Sequence, residues 1–190
     1  MFAAVSSSLR LAVTARHFSS SASSALASAA KRAMVKVGDS LPSVQVYEND
    51  AKTTVDIAEL FKGKKGILFG VPGAFTPGCS KTHLPGYVKD YEKLKAKGAE
   101  VIAVIAVNDG FVMQAWGAAH NAEGKVRMLA DPTAELTKAL GLEFNAPPLG
   151  GLRTTRFSAV LNDGVFTHVN IEPSGGGLTC SLANVIYDQL

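Results

Sequence analysis

VIAVIAV, residues 101–107, is an unbroken run of mostly β-branched apolar residues. Such a run has no polar face, so it reads as a strand buried on both sides in a mainly parallel sheet. Working outward, GILFGV (66–71) is a second short apolar strand that stops at Pro72. VRMLA (126–130) is a third. Between them lie segments with helical spacing. Leu84, Val88, Tyr91 and Leu94 share one face of a helix beginning near Pro77 and closed by Gly98, and Pro85 should bend it. FVMQAWGAAH (111–120) and TAELTKALG (133–141) are further helices, the second ended by Gly141. Upstream, SVQVYEND and KTTVDI form a short hairpin turning at Glu48-Asn49-Asp50, which leads into IAELFKG. Downstream, FSAVL and VFTHVNI flank Asn162-Asp163-Gly164, a strong hairpin signal, and SLANVIYDQL closes the chain as a helix. The order βαβαβα, then hairpin and helix, predicts one α/β domain over residues 34–190. Its mixed central sheet is expected to be mostly parallel with an antiparallel edge, flanked by helices.

The chain has 190 residues and a formal charge of +3. Arg10, Arg16, Lys31 and Arg32 give residues 1–32 a charge of +4 without one acid; the remainder holds 15 Lys or Arg against 16 Asp or Glu, or −1. The body therefore has no electrostatic case for nucleic acid. The Ser- and Ala-rich, acid-free head has the composition of a mitochondrial transit peptide over residues 1–33, with cleavage near Lys31–Ala33. A start at Met34 predicts a shorter, cytosolic form. No apolar run approaches a membrane span. Two cysteines, Cys79 and Cys180, are too few for a disulfide scaffold and fit no zinc spacing with His83, His120 or His168.

The chemistry concentrates in VPGAFTPGCSKTHLPGY (71–87), which sets Cys79 in a strand-to-helix loop between Pro-Gly corners. In the first helical turn, unpaired N–H groups and the helix dipole stabilise an anion, which favours the reactive thiolate. Pro77 suits a helix start. Thr76 can aim its hydroxyl across the turn at the sulfur or at a ligand on it. A buried, inert cysteine is the commoner fate of a thiol, but the loop at the carboxyl end of a buried strand is where such folds bind ligands.

GVPGAFTPGCSKTHLPGY resembles the active-site signature of the peroxiredoxins, and most closely their atypical two-cysteine (peroxiredoxin 5) group. The resemblance continues through AVNDGFVMQAWGAAHNAEGKVRMLADP, RFSAVLNDG and GLTCSLAN, and so covers residues 35–190. It implies a thioredoxin-like fold and reduction of peroxides, with Cys79 as the peroxidatic cysteine, Thr76 bonding thiolate and peroxide, and Pro72 screening the site. It selects Arg156 over its neighbour Arg153 as the guanidinium that holds the thiolate. It also makes Cys180, behind Gly175–Gly177 in SGGGLTCSLAN, the resolving cysteine, closing an intramolecular disulfide that a thioredoxin-type partner reduces. A non-covalent homodimer is a further implication. No metal or organic cofactor is required.

His83, one turn beyond Cys79, invites a Cys–His hydrolase reading, but a helix-surface or packing residue is the commoner role, and no motif supplies the carboxylate such an enzyme needs. A thioredoxin-fold binding or chaperone module is a third reading; loss of Thr76, Cys79 or Arg156 would favour it, and all three are present. The absence of C-x-x-C disfavours a dithiol oxidoreductase. Departures from the family stand out: the third cysteine of some relatives, in the central strand, is absent here, where the run is VIAVIAV. The chain ends Asp188-Gln189-Leu190, which argues against peroxisomal targeting, and EFNAPPLGGLR (143–153) is individual, leaving the apolar wall of the substrate pocket, with Leu149 as a candidate, open.

Overall fold

Alternate residues of the VIAVIAV strand face opposite layers, and both layers are dry. The computed structural model describes residues 33–190 together with Met1, so the expected transit peptide falls almost wholly outside the described residues. Strand β4 (Val101–Ala106) is buried along its whole length. Ile102, Val104 and Ala106 join a core with Phe69, Tyr87, Trp116 and Ile186, while Val101, Ala103 and Ile105 join one with Phe61, Leu136, Phe157 and Phe166.

The sheet containing β4 has seven strands in the order β2-β1-β5-β4-β3-β8-β9. These are β1 (Gln45–Glu48), β2 (Thr54–Asp56), β3 (Lys65–Gly70), β5 (Arg127–Ala130), β8 (Phe157–Asn162) and β9 (Val165–Ile171). Only β3–β4 and β4–β5 pair parallel, whereas the pairings of β1 with β2 and β5, and of β8 with β3 and β9, are antiparallel. The sheet is mixed as expected, but the expectation of a mostly parallel sheet with one antiparallel edge is corrected. Each margin is a tight hairpin, which can join only antiparallel strands. At the β8–β9 turn both Asp163 (φ 49°) and Gly164 (φ 72°) are left-handed, the backbone that a two-residue turn matched to strand twist requires.

Helices α1 (Ile57–Phe61), α4 (Gly110–Ala119), α5 (Glu135–Ala139) and α6 (Ala183–Gln189) cover the sheet. Asp56 caps α1 by accepting from Ala58 N and Glu59 N, and Asp109 caps α4 by accepting from Val112 N. The single helix expected from Pro77 onward is interrupted twice. Its residues Cys79–His83 form a π-helical turn in which Leu84 N donates to Cys79 O. α2 (Leu84–Lys89) and α3 (Tyr91–Ala96) are then separated at Asp90. Pro85 has no N–H to give, and in α geometry its ring would strike the carbonyl of Lys81; widening the preceding turn relieves both.

The individual stretch 143–153 is a separate two-stranded ribbon, β6 (Glu143–Ala146) with β7 (Gly151–Thr154), joined by a 3-10 turn at Pro147–Leu149. Among the described residues no helix is long and apolar enough to cross a membrane.

Candidate active site

Strand pairing assembles the site. β8 runs antiparallel to β3 with Phe157 opposite Gly70, so the residue before β8, Arg156, arrives where β3 ends and the 71–79 loop begins. Gly70 permits this approach, because a Cβ there would lie 2.2 Å from the Phe157 ring.

Cys79 is fully buried, and Arg156 is only 3% exposed. Arg156 Nη1 donates to Cys79 Sγ at 3.4 Å and to His83 Nδ1 at 3.1 Å. Its Nε donates to Gly176 O at 3.3 Å, and its backbone N donates to Gly175 O at 2.8 Å. Gly78 leaves room for the guanidinium, since a Cβ at 78 would stand 3.2 Å from Arg156 Nη2. The competitor Arg153 turns elsewhere and donates to the carbonyls of Val107 and Leu149.

Thr76 Oγ1 donates to Gly73 O at 2.9 Å, which leaves the lone pairs of the hydroxyl to accept. Pro72 is buried at the head of the loop, and Ala74 N donates to Asn108 Oδ1 at 3.0 Å, tying the loop to the end of β4. Beside the cysteine, Trp116 Nε1 donates to Ser80 Oγ at 3.0 Å. Leu149 sits at the tip of the β6–β7 ribbon, half-buried.

His83 is the residue whose place sequence reasoning missed. The imidazole is fully buried, edge-on to Phe69 and Tyr87. Its Nε2 lies 2.9 Å from Ser181 O, which can only accept, so Nε2 carries the proton and Nδ1 accepts from Arg156. Burial is the main reason its pKa falls to about 4, with the Arg156 charge adding to it. A neutral His83 with both nitrogens occupied is no base for Cys79; it orients the guanidinium whose N–H reaches the sulfur. The π-helical turn was the available signal, through Pro85, because it brings positions 79 and 83 onto the same guanidinium.

Cys180 is partly exposed, and both cysteines are free thiols. Burial, and then the charge of Glu172, pushes the Cys180 thiol up. Cys180 N donates to Glu172 Oε1 at 2.9 Å.

The Redoxin family model matches residues 36–186. The chain belongs to the peroxiredoxins. Peroxiredoxin-2B of Arabidopsis thaliana is 44% identical over 162 residues, spanning 83% of this chain and 99% of that protein. Reduced Prx3 from Vibrio vulnificus, solved in complex with H2O2, is 46% identical, with a TM-score of 0.78 over 83% of this chain and 100% of that one. Peroxiredoxin 5 from Alvinella pompejana is 44% identical, with a TM-score of 0.71 over 82% and 98%. This peroxiredoxin has the thioredoxin-like fold and is a thiol peroxidase, an oxidoreductase with an antioxidant function.

Proposed function

We propose that Cys79 is the peroxidatic cysteine and that Arg156 holds its thiolate. The observation that carries this is the 3.4 Å contact from Arg156 Nη1 to Cys79 Sγ inside a buried site. The thiolate sulfur attacks the nearer peroxide oxygen, the O–O bond breaks, and the distal oxygen leaves with a proton as water or an alcohol. Cys79 becomes a sulfenic acid. The guanidinium stabilises the charge moving between sulfur and oxygens, Thr76 accepts the peroxide O–H, and Pro72 screens the sulfur from bulk water. This chemistry suits hydrogen peroxide and alkyl hydroperoxides, and also peroxynitrite, from which nitrite takes the place of water or alcohol as the leaving group.

Cys180 then resolves the sulfenic acid as an intramolecular disulfide, which thioredoxin reduces by thiol exchange. What supports this is a second free thiol on the segment that bonds His83. The enzyme works as a non-covalent homodimer, a state that sedimentation measures. The acid-free head directs it to mitochondria, with a cytosolic form from Met34; a reporter fused after residue 33 that stayed in the cytosol would count against the leader.

The test is peroxide consumption by residues 34–190 with thioredoxin and its reductase. Cys79→Ser should abolish turnover, and Cys180→Ser should still permit one oxidation at Cys79. Turnover retained in Cys79→Ser overturns the assignment.

A further inference from the structure

Glu172 follows β9 with its carboxylate buried, and the peroxidase chemistry above makes no use of it. Its oxygens accept from Thr179 N at 2.7 Å, Thr179 Oγ1 at 2.7 Å, Cys180 N at 2.9 Å, Ser181 N at 3.0 Å and Ser181 Oγ at 2.9 Å. Burial opposes the charge, but the donors of Thr179 and Ser181 outweigh it and hold the carboxyl at about 2. The group is an anion at any physiological pH. Gly177 shapes the nest, because a Cβ there would stand 2.7 Å from Glu172 Oε2. From the opposite side Ser181 O accepts from His83 Nε2 at 2.9 Å and from Tyr87 Oη at 2.8 Å.

The segment gripped in this way carries Cys180. The bonded path from it to the other sulfur runs from Ser181 O through His83 and Arg156 to Cys79 Sγ. A disulfide needs Cα atoms within roughly 7 Å and sulfur on sulfur. In this structure the two are separate free thiols, Cys79 Sγ is held by Arg156, and the Cys180 backbone is pinned at its own N–H.

We propose that Glu172 is a positioning residue for resolution: it clamps Thr179–Ser181, withholds Cys180 as a thiol while Cys79 reacts, and must release the segment for the disulfide to close. The inference rests on the reading of Cys180 as the resolving cysteine. In the closing step the Cys180 sulfur bonds to the Cys79 sulfenic sulfur, the S–O bond breaks, and hydroxide leaves with the thiol proton as water. The Cys180 sulfur is oxidised and the Cys79 sulfur is reduced. The strength of the grip then sets how long the sulfenic acid is exposed to a second peroxide, the step that makes sulfinic acid.

The experiment is rapid mixing of the full chain with one equivalent of hydrogen peroxide. Peroxide loss reads the first step; acid quench, alkylation and mass spectrometry read disulfide closure. Glu172→Gln places an amide N–H₂ among N–H donors, and Gly177→Ala displaces the carboxylate without removing its charge. Both should speed closure, Glu172→Gln by about tenfold, the scale of a hydrogen bond to a charged group. Peroxide loss in the first step should stay at the wild-type rate. Sulfinic acid at excess peroxide should fall in parallel. In a Cys79→Ser background, the alkylation–pH profile of Cys180 should move to lower pH in Glu172→Gln. The groups facing this segment are Glu172, Arg156, His83 and Tyr87, and only Glu172 is changed.

Closure at the wild-type rate or slower in both variants overturns the clamp. A measurement on the unaltered chain stands beside them: amides of Thr179–Ser181 should exchange slowly in the reduced protein and fast in the disulfide form, and equal protection also overturns it. If the wild type forms no Cys79–Cys180 disulfide at all, the resolving role itself fails and takes the inference with it.

Discussion

The two cysteines of this peroxiredoxin sit in opposite electrostatic surroundings. Cys79 lies in a π-helical turn, fully buried, with a guanidinium nitrogen 3.4 Å from its sulfur. Cys180 lies on a loop behind three glycines, partly exposed, with its amide on a carboxylate whose charge helps push its thiol up. In the proposed reaction one sulfur has to become an anion on demand, and it faces a cation; the other has to wait, and it faces an anion. A two-step thiol reaction gains from this division, because the thiol meant to attack second does not compete for the oxidant.

The contrast is most exposed at Arg156. Arg156→Met should lower the rate of Cys79 oxidation by about 10²–10³-fold, the loss seen when a preorganised donor is removed. An Arg156→Met protein that oxidises at the wild-type rate would erase the distinction.

Next in size is an effect of acid. Unfolded His83 takes its proton near 6.5, while in the native protein burial delays this to about 4. The unfolded chain therefore binds more protons in that window, so stability is full above pH 6.5 and falls toward pH 4. The loss is on the order of 3 kcal/mol. Glu172 works lower on the scale: its contribution is present above its ordinary 4.5 and is lost as pH falls toward about 2. Melting temperature should drop on acidification from pH 7, with His83→Gln flattening the upper limb and Glu172→Gln the lower one. Identical acid curves in all three proteins would contradict both the burial of His83 and the hydrogen-bonded hold on Glu172.

Smaller effects sharpen the Cys79 side. Gly78→Ala puts a Cβ 3.2 Å from Arg156 Nη2 and should slow Cys79 oxidation severalfold with little change in melting. Ser80→Ala strands the buried Trp116 N–H and should cost about 1–3 kcal/mol of stability, read by urea unfolding, while barely touching the rate.

Much of this architecture is legible in the chain itself. VIAVIAV has no polar face, so it could only be a strand covered twice, and Asn162-Asp163-Gly164 could hardly be anything but a hairpin turn. Those features are local, and local pattern carries them. The β6–β7 ribbon was not legible, because its two strands are four residues each and flank Pro147-Pro148 and two left-handed glycines, which read as loop. The break at Asp90 lies inside a helical face that continues across it. At the site, Cys79 announces itself by the loop around it, whereas the contact of Arg156 depends on strand pairing 77 residues away. His83 and Glu172 were out of reach for a different reason. Their roles are set by backbone groups of the 174–181 segment, and carbonyls and amides leave no mark on a sequence.

The complete burial of Cys79 also has a practical side. Cys79 offers no exposed surface to a reagent, whereas Cys180 is partly open to solvent. Thiol chemistry on this protein is therefore sorted by exposure: a bulky maleimide dye sees one site, Cys180. A fluorophore can be placed on Cys180 without altering a residue, and its signal would report the surroundings of that segment while Cys79 is oxidised in a single step.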